Sequence, residues 1–130
     1  MIFHHIGIAT INIDLTAKKY NLFGYEIVSE KIFDPIQNVF ISFMEKDGSP
    51  RVELVAPVNN DSPILNIIKK NGTSPYHFCY EVEDISKEVD RLKKLKFILI
   101  SKIVPAVAFD NRLVCFLYNN EAGLIELLNK

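Results

Sequence analysis

The sequence predicts an α+β fold of two tandem βαβββ modules, and three observations carry that prediction. The chain repeats itself: a shift of 72 positions lays HIGIATINID, from His5, on HFCYEVEDIS, from His77, and lays LFGYEIVS, ending at Ser29, on KLKFILIS, ending at Ser101. A shift of 73 lays RVELVA, around Glu53, on LIELLN, around Glu126. Within each repeat, short β-branched and aromatic runs surround one helical pattern, and a long unit that occurs only twice is not a stacked array.

The elements follow in order. Residues 2–9 form an apolar strand, and Asp14 is placed to cap a short helix that ends at Gly24. Residues 25–33 and 39–45 are read as strands; Asp47-Gly48 marks the turn before a strand over 51–56. A linker helix over about 62–71 starts with Asp61 or Ser62 as cap and Pro63 in its first turn, and ends at Lys69-Lys70 before Gly72. Residues 76–82 begin the second module as a strand, and Asp84 starts a helix. There Ile85, Val89, Leu92 and Leu95 recur at helical spacing to give one buried stripe. Strands over 97–104, 113–118 and 124–128 complete it. The organisation predicted is one domain, 1–130, with module one about 1–57 and module two about 74–130.

Composition narrows the function classes. With 48% apolar and 24% charged residues the 130-residue chain reads as globular, and its net charge of −1 gives no reason to expect nucleic acid or anionic lipid as partner. The longest uncharged apolar run, 103–109, is far short of a membrane span and contains Pro105. No basic segment precedes an apolar one at the N-terminus, so the expected location is the cytoplasm, with Cys79 and Cys115 reduced and buried.

Alternation along the strands sorts the side chains. His5 and Gly7 oppose Ile6 and Ile8; His77 and Cys79 oppose Tyr76, Phe78 and Tyr80; Glu53 opposes Val52 and Leu54; Glu126 opposes Ile125 and Leu127. The bulky faces are expected under the helices, leaving one His and one Glu per module on the other, concave side. His5 and Glu53 stand 48 positions apart, and His77 and Glu126 stand 49 apart. Burying four ionisable groups is costly unless something neutralises them, and a divalent cation does so. Two imidazoles and two carboxylates suit Ni²⁺, Co²⁺, Fe²⁺, Mn²⁺ or Zn²⁺, and four protein ligands leave open positions of the kind catalytic sites keep. His4 faces away from His5 and is read as structural. Arg51, Asn111 and Arg112 are candidate substrate-binding residues, the arginines because a guanidinium pairs with carboxylate or phosphate.

At HIGIA from His5, VELVAP from Val52, SPYHFCYEVEDI from Ser74 and GLIELL from Gly123, the chain resembles the vicinal oxygen chelate superfamily over nearly its whole length. That superfamily includes glyoxalase I, methylmalonyl-CoA epimerase, extradiol dioxygenases and bleomycin-resistance proteins. The resemblance implies paired modules in an incomplete barrel around one divalent metal, Ni²⁺ or Co²⁺ ahead of Zn²⁺, with His5, Glu53, His77 and Glu126 as ligands. It also implies a homodimer and a small thioester or hemithioacetal substrate. Within the superfamily the His, Glu, His, Glu order is that of bacterial glyoxalase I, and it implies a lyase in which Glu126, with Glu53 as second candidate, moves a proton next to a carbonyl through an enediolate. YHFCYEVEDI and Ser62-Pro63 look instead like methylmalonyl-CoA epimerases, which commonly carry Glu-Gln where this chain has Ile36-Gln37. That departure places the lyase first and the epimerase second. A metal-free binding or resistance protein is the third reading.

Overall fold

The structure is a computed structural model that describes residues 1–130. The chain falls into two compact units, one of His5–Tyr76 and one of Met1–His4 together with His77–Lys130. No helix is long and apolar enough to cross a membrane.

In the first unit, β1 (Ile2–Ala9, its residues 2–4 belonging to the second unit) leads to α1 (Ile13–Asn21), followed by β2 (Glu26–Ile27), β3 (Ile32–Asp34), β4 (Val39–Glu45), β5 (Val52–Pro57) and α2 (Ile64–Asn71). β5 lies parallel to β1 and antiparallel to β4, which carries β2 and β3 along its other edge. In the second, β6 (Ser74–Val82) leads to α3 (Ile85–Lys94), β7 (Ile98–Leu99), β8 (Val104–Ala106), β9 (Arg112–Asn119) and β10 (Gly123–Asn129). β10 lies parallel to β6 and antiparallel to β9, which carries β7 and β8. Both units repeat one order, a strand, a helix and then four strands: the βαβββ read from the sequence with one of its strands split in two.

Each unit has its own core beneath its helix. Ile13 and Ala17 of α1 pack on Ile8, Met44, Val52, Leu54 and Ala56. Ile85, Val89 and Leu92 of α3 pack on Val82, Cys115, Leu117, Ile125 and Leu127. Each Val, Leu, Ile or Met among them contributes roughly 1.5–3 kcal/mol when fully buried. Phe3 stands edge-on to Phe78 and Tyr80, which holds the first residues of β1 in the second unit.

Several local expectations are corrected. The cap of α1 is Asn12, whose Oδ1 accepts from the Leu15 N–H at 3.0 Å; Asp14 sits inside the first turn, where its charge suits the helix dipole. At α2, Pro63 itself occupies the cap position and makes no side-chain bond, so neither Asp61 nor Ser62 caps. Leu95 is 55% exposed because α3 ends one residue before it and Lys96 turns the chain at φ +67°, so the buried stripe stops at Leu92. Phe78 is exposed rather than covered by a helix. The strands expected over 25–33 and 97–104 each break into two short ones. The break has the same cause in both units. After Ile27 and Leu99 one backbone bond continues the ladder, from the Val28 N–H to the Phe43 carbonyl and from the Ile100 N–H to the Phe116 carbonyl. Then a serine hydroxyl, of Ser29 and of Ser101, takes the next N–H in place of a backbone carbonyl.

Candidate metal centre

The four residues expected to bind metal are all buried: His5 is 0% exposed, Glu53 3%, His77 3% and Glu126 2%. They form one His–Glu pair in each unit. In the first, β1 and β5 run parallel with Gly7 directly opposite Glu53, and His5 lies two residues before Gly7 on the same face. In the second, Cys79 lies opposite Glu126, and His77 lies two residues before Cys79. Gly7 and Cys79 are small, so each carboxylate leans diagonally toward the imidazole. The His5 Nε2–Glu53 Oε2 distance is 3.2 Å and the His77 Nε2–Glu126 Oε2 distance is 3.4 Å.

Those separations test the fit to a metal. A charge-assisted hydrogen bond between nitrogen and carboxylate runs at about 2.7–2.9 Å, shorter than either. Two donors at about 2.1 Å from one ion lie about 3.0 Å apart at an octahedral edge and about 3.4 Å apart at a tetrahedral one. Each pair is spaced as two ligands of a common ion are, and imidazole with carboxylate is a donor set that borderline divalent cations accept.

An aromatic ring walls each half-site. Phe43 stands edge-on to His5 at 6.0 Å and 76°, and Phe116 stands edge-on to His77 at 5.3 Å and 82°. In the antiparallel ladders Phe43 pairs with Glu53 and Phe116 with Glu126. Sequence reasoning missed both phenylalanines and the serines bound to them. The signal was available, since Phe43 and Phe116 are 73 apart and Ser29 and Ser101 are 72 apart, the offsets of the repeat.

The other candidates divide. Arg51 belongs to the first half-site's surroundings: its guanidinium carbon lies 4.3 Å from the centre of the Phe43 ring and its Nε 3.1 Å from Glu45 Oε1. Arg112 is engaged elsewhere, donating from Nε to the Asn129 carbonyl at 2.7 Å and from its terminal nitrogen to Glu81. That bond holds the Glu81 carboxyl below its ordinary range. Arg112 therefore ties β9 to the ends of β10 and β6. Asn111 is exposed in a left-handed turn, its N–H on the Ala106 carbonyl. His4 packs edge-on against Phe109 at 5.5 Å. Both cysteines are free and buried, and burial followed by the Glu126 charge pushes the Cys115 thiol up to about 12, so it is no nucleophile. Ile36 is 55% exposed, in a turn held by Asp34 Oδ1 accepting from the Ile36 and Gln37 N–H groups.

Comparison with known proteins decides the family. The sequence model of the Glyoxalase/Bleomycin resistance protein/Dioxygenase superfamily matches residues 4–116. The chain belongs to that superfamily. It is 33% identical over 128 residues to the mitochondrial methylmalonyl-CoA epimerase of Homo sapiens, covering 95% of this chain and 71% of the relative. It is 30% identical over 128 residues to the ethylmalonyl-CoA/methylmalonyl-CoA epimerase of Cereibacter sphaeroides, covering 95% of this chain and 94% of the relative. A hypothetical protein from Bacillus halodurans has the same fold, with a TM-score of 0.85 and 27% identity over 98% of this chain and 93% of the other. These relatives favour the epimerase, second on sequence grounds, over the glyoxalase I-type lyase.

Proposed function

We propose that the chain is an acyl-CoA epimerase that inverts the α-carbon of a 2-alkylmalonyl-CoA, with methylmalonyl-CoA the first substrate to test. The observation that carries the proposal is the kinship with epimerases across 95% of the chain. Two buried, pseudo-symmetric carboxylates support it, because inversion is done most simply by one proton-transfer group on each face of the carbon.

In this reading His5, Glu53, His77 and Glu126 would hold one divalent cation. The ion, when bound, supplies positive charge that makes a proton next to a carbonyl easier to remove. The protein's own residues do the rest. One glutamate, as carboxylate, takes the α-proton onto an oxygen, and the electron pair spreads toward the thioester. The other, as carboxylic acid, returns a proton to the opposite face. The two exchange protonation states at each turnover, with no oxidation and no group lost. Glu126 is the first base and Glu53 its partner, and enclosure keeps bulk water from competing for the proton. Arg51, beside Phe43, is the cation best placed to meet a substrate carboxylate.

The test is incubation of the metal-loaded protein with a single epimer of methylmalonyl-CoA in D₂O. Inversion with one deuterium at the α-carbon is expected. Absence of both inversion and exchange, alongside conversion of the methylglyoxal hemithioacetal, would establish the glyoxalase I-type lyase instead.

A further inference from the structure

We propose that Ser29 and Ser101 are matched positioning residues, each fixing the phenylalanine wall against which one half-site's imidazole and carboxylate are set. The proposal rests on the reading of the two His–Glu pairs as the functional half-sites.

The geometry is the same in both units. Ser29 Oγ accepts from the Phe43 N–H at 2.8 Å, and Ser101 Oγ accepts from the Phe116 N–H at 2.8 Å. The Phe43 and Phe116 carbonyls accept from Val28 and Ile100 at 2.9 Å. Both backbone groups of each phenylalanine therefore point away from the glutamate strand. Phe43–Glu53 and Phe116–Glu126 are consequently non-hydrogen-bonded cross-strand pairs, the kind whose Cα atoms approach to about 4.5 Å and whose side chains lie closest. The same rings meet the histidines edge-on. One residue thus sits opposite the carboxylate and meets the imidazole of each pair, and the serine holds its backbone at the point where the neighbouring strand leaves the ladder. A backbone carbonyl there would need the strand to continue, but the chain turns away after each serine. The hydroxyl satisfies the N–H while the strand ends. Ser29 adds a second tie, its carbonyl accepting from Ser42 Oγ at 3.3 Å.

The decisive measurement is NMR of the histidine rings in metal-free protein, comparing wild type with S29A, S101A and the hydroxyl-retaining S29T and S101T. S101A is expected to move the His77 ring resonances, through the ring current of a displaced Phe116, and to leave His5 unmoved. S29A should move His5 and leave His77 unmoved, and both threonine variants should keep wild-type positions. Cobalt(II) titration then reads the consequence, with affinity falling about tenfold in either alanine variant, as loss of an orienting partner does. Movement of both histidines alike, of neither, or of the threonine variants as far as the alanine ones would overturn the proposal. Should wild type take up no cobalt, the metal reading fails, and the ring resonances still decide the role of the serines.

Discussion

Replacing Glu126 by Gln separates its chemical role from its structural one. Glutamine has the same shape, so β10 should keep its register with β9 and β6. An unfolding entropy of about 2.1 cal/mol/K per residue makes 1 kcal/mol worth about 4 °C in Tm for a chain of 130 residues. An isosteric exchange with the packing retained should therefore move Tm by less than about 4 °C. Turnover is another matter. General acid–base catalysis is worth about 10²- to 10⁴-fold, or about 3–5 kcal/mol of barrier. At 2% exposure Glu126 leaves no room for bulk water to act in its place, so the loss should sit in the upper half of that range. The assay follows inversion of methylmalonyl-CoA and α-deuterium incorporation together. With Glu53 still present, one epimer should lose its α-proton to solvent with configuration retained, while inversion stops. A variant that keeps more than about a tenth of wild-type kcat refutes the assignment. Loss of exchange from both epimers would refute the two-carboxylate scheme and leave Glu126 as a single shuttle.

Three further outcomes follow from the fold. Lys96 occupies at φ +67° the turn that Gly24 occupies at φ +91° in the first unit, so Lys96→Gly should raise stability by about 1 kcal/mol and Tm by about 4 °C, read by thermal melting. Leu92→Ala, in the core beneath α3, should cost about 2–5 kcal/mol in urea unfolding, with the slope unchanged. The Arg112 bond that lowers the Glu81 carboxyl pKa in the fold contributes stability that is present above the ordinary carboxylate value of 4.5 and is lost as pH falls through the lower folded value. The stability gap between wild type and Glu81→Gln should accordingly be full at pH 6 and close as acid is added below about pH 4.5, which a series of denaturant melts would show.

The repeat made much of this legible in advance. Period-two alternation placed Ile8, Val52 and Leu54 under α1 and Glu53 on the opposite face, because a strand leaves each side chain only two directions. The same logic paired His77 with Glu126. Where the prediction slipped, a tertiary partner intervened. Residues 25–33 and 97–104 have the composition of continuous strands, yet a strand lasts only while a neighbour's ladder receives it, and Ser29 and Ser101 end that pairing with a side chain. Sequence shows the charge of Arg112 without a partner; Glu81, 31 positions earlier, becomes one only in the fold. Asn12 displaced Asp14 as the cap of α1 because capping depends on which residue first leaves helical dihedrals, and both side chains offer a suitable oxygen.

By itself, the sequence determined the two-module plan, the face on which each His and Glu lies, and the donor chemistry those residues bring. Tertiary structure alone decided that each His–Glu pair stands at the spacing of two ligands of a common ion, walled by a phenylalanine that a serine pins. The division has a physical reason. Periodicity is local and is written in every few residues, whereas a distance between side chains 48 positions apart exists only once parallel pairing has set the register.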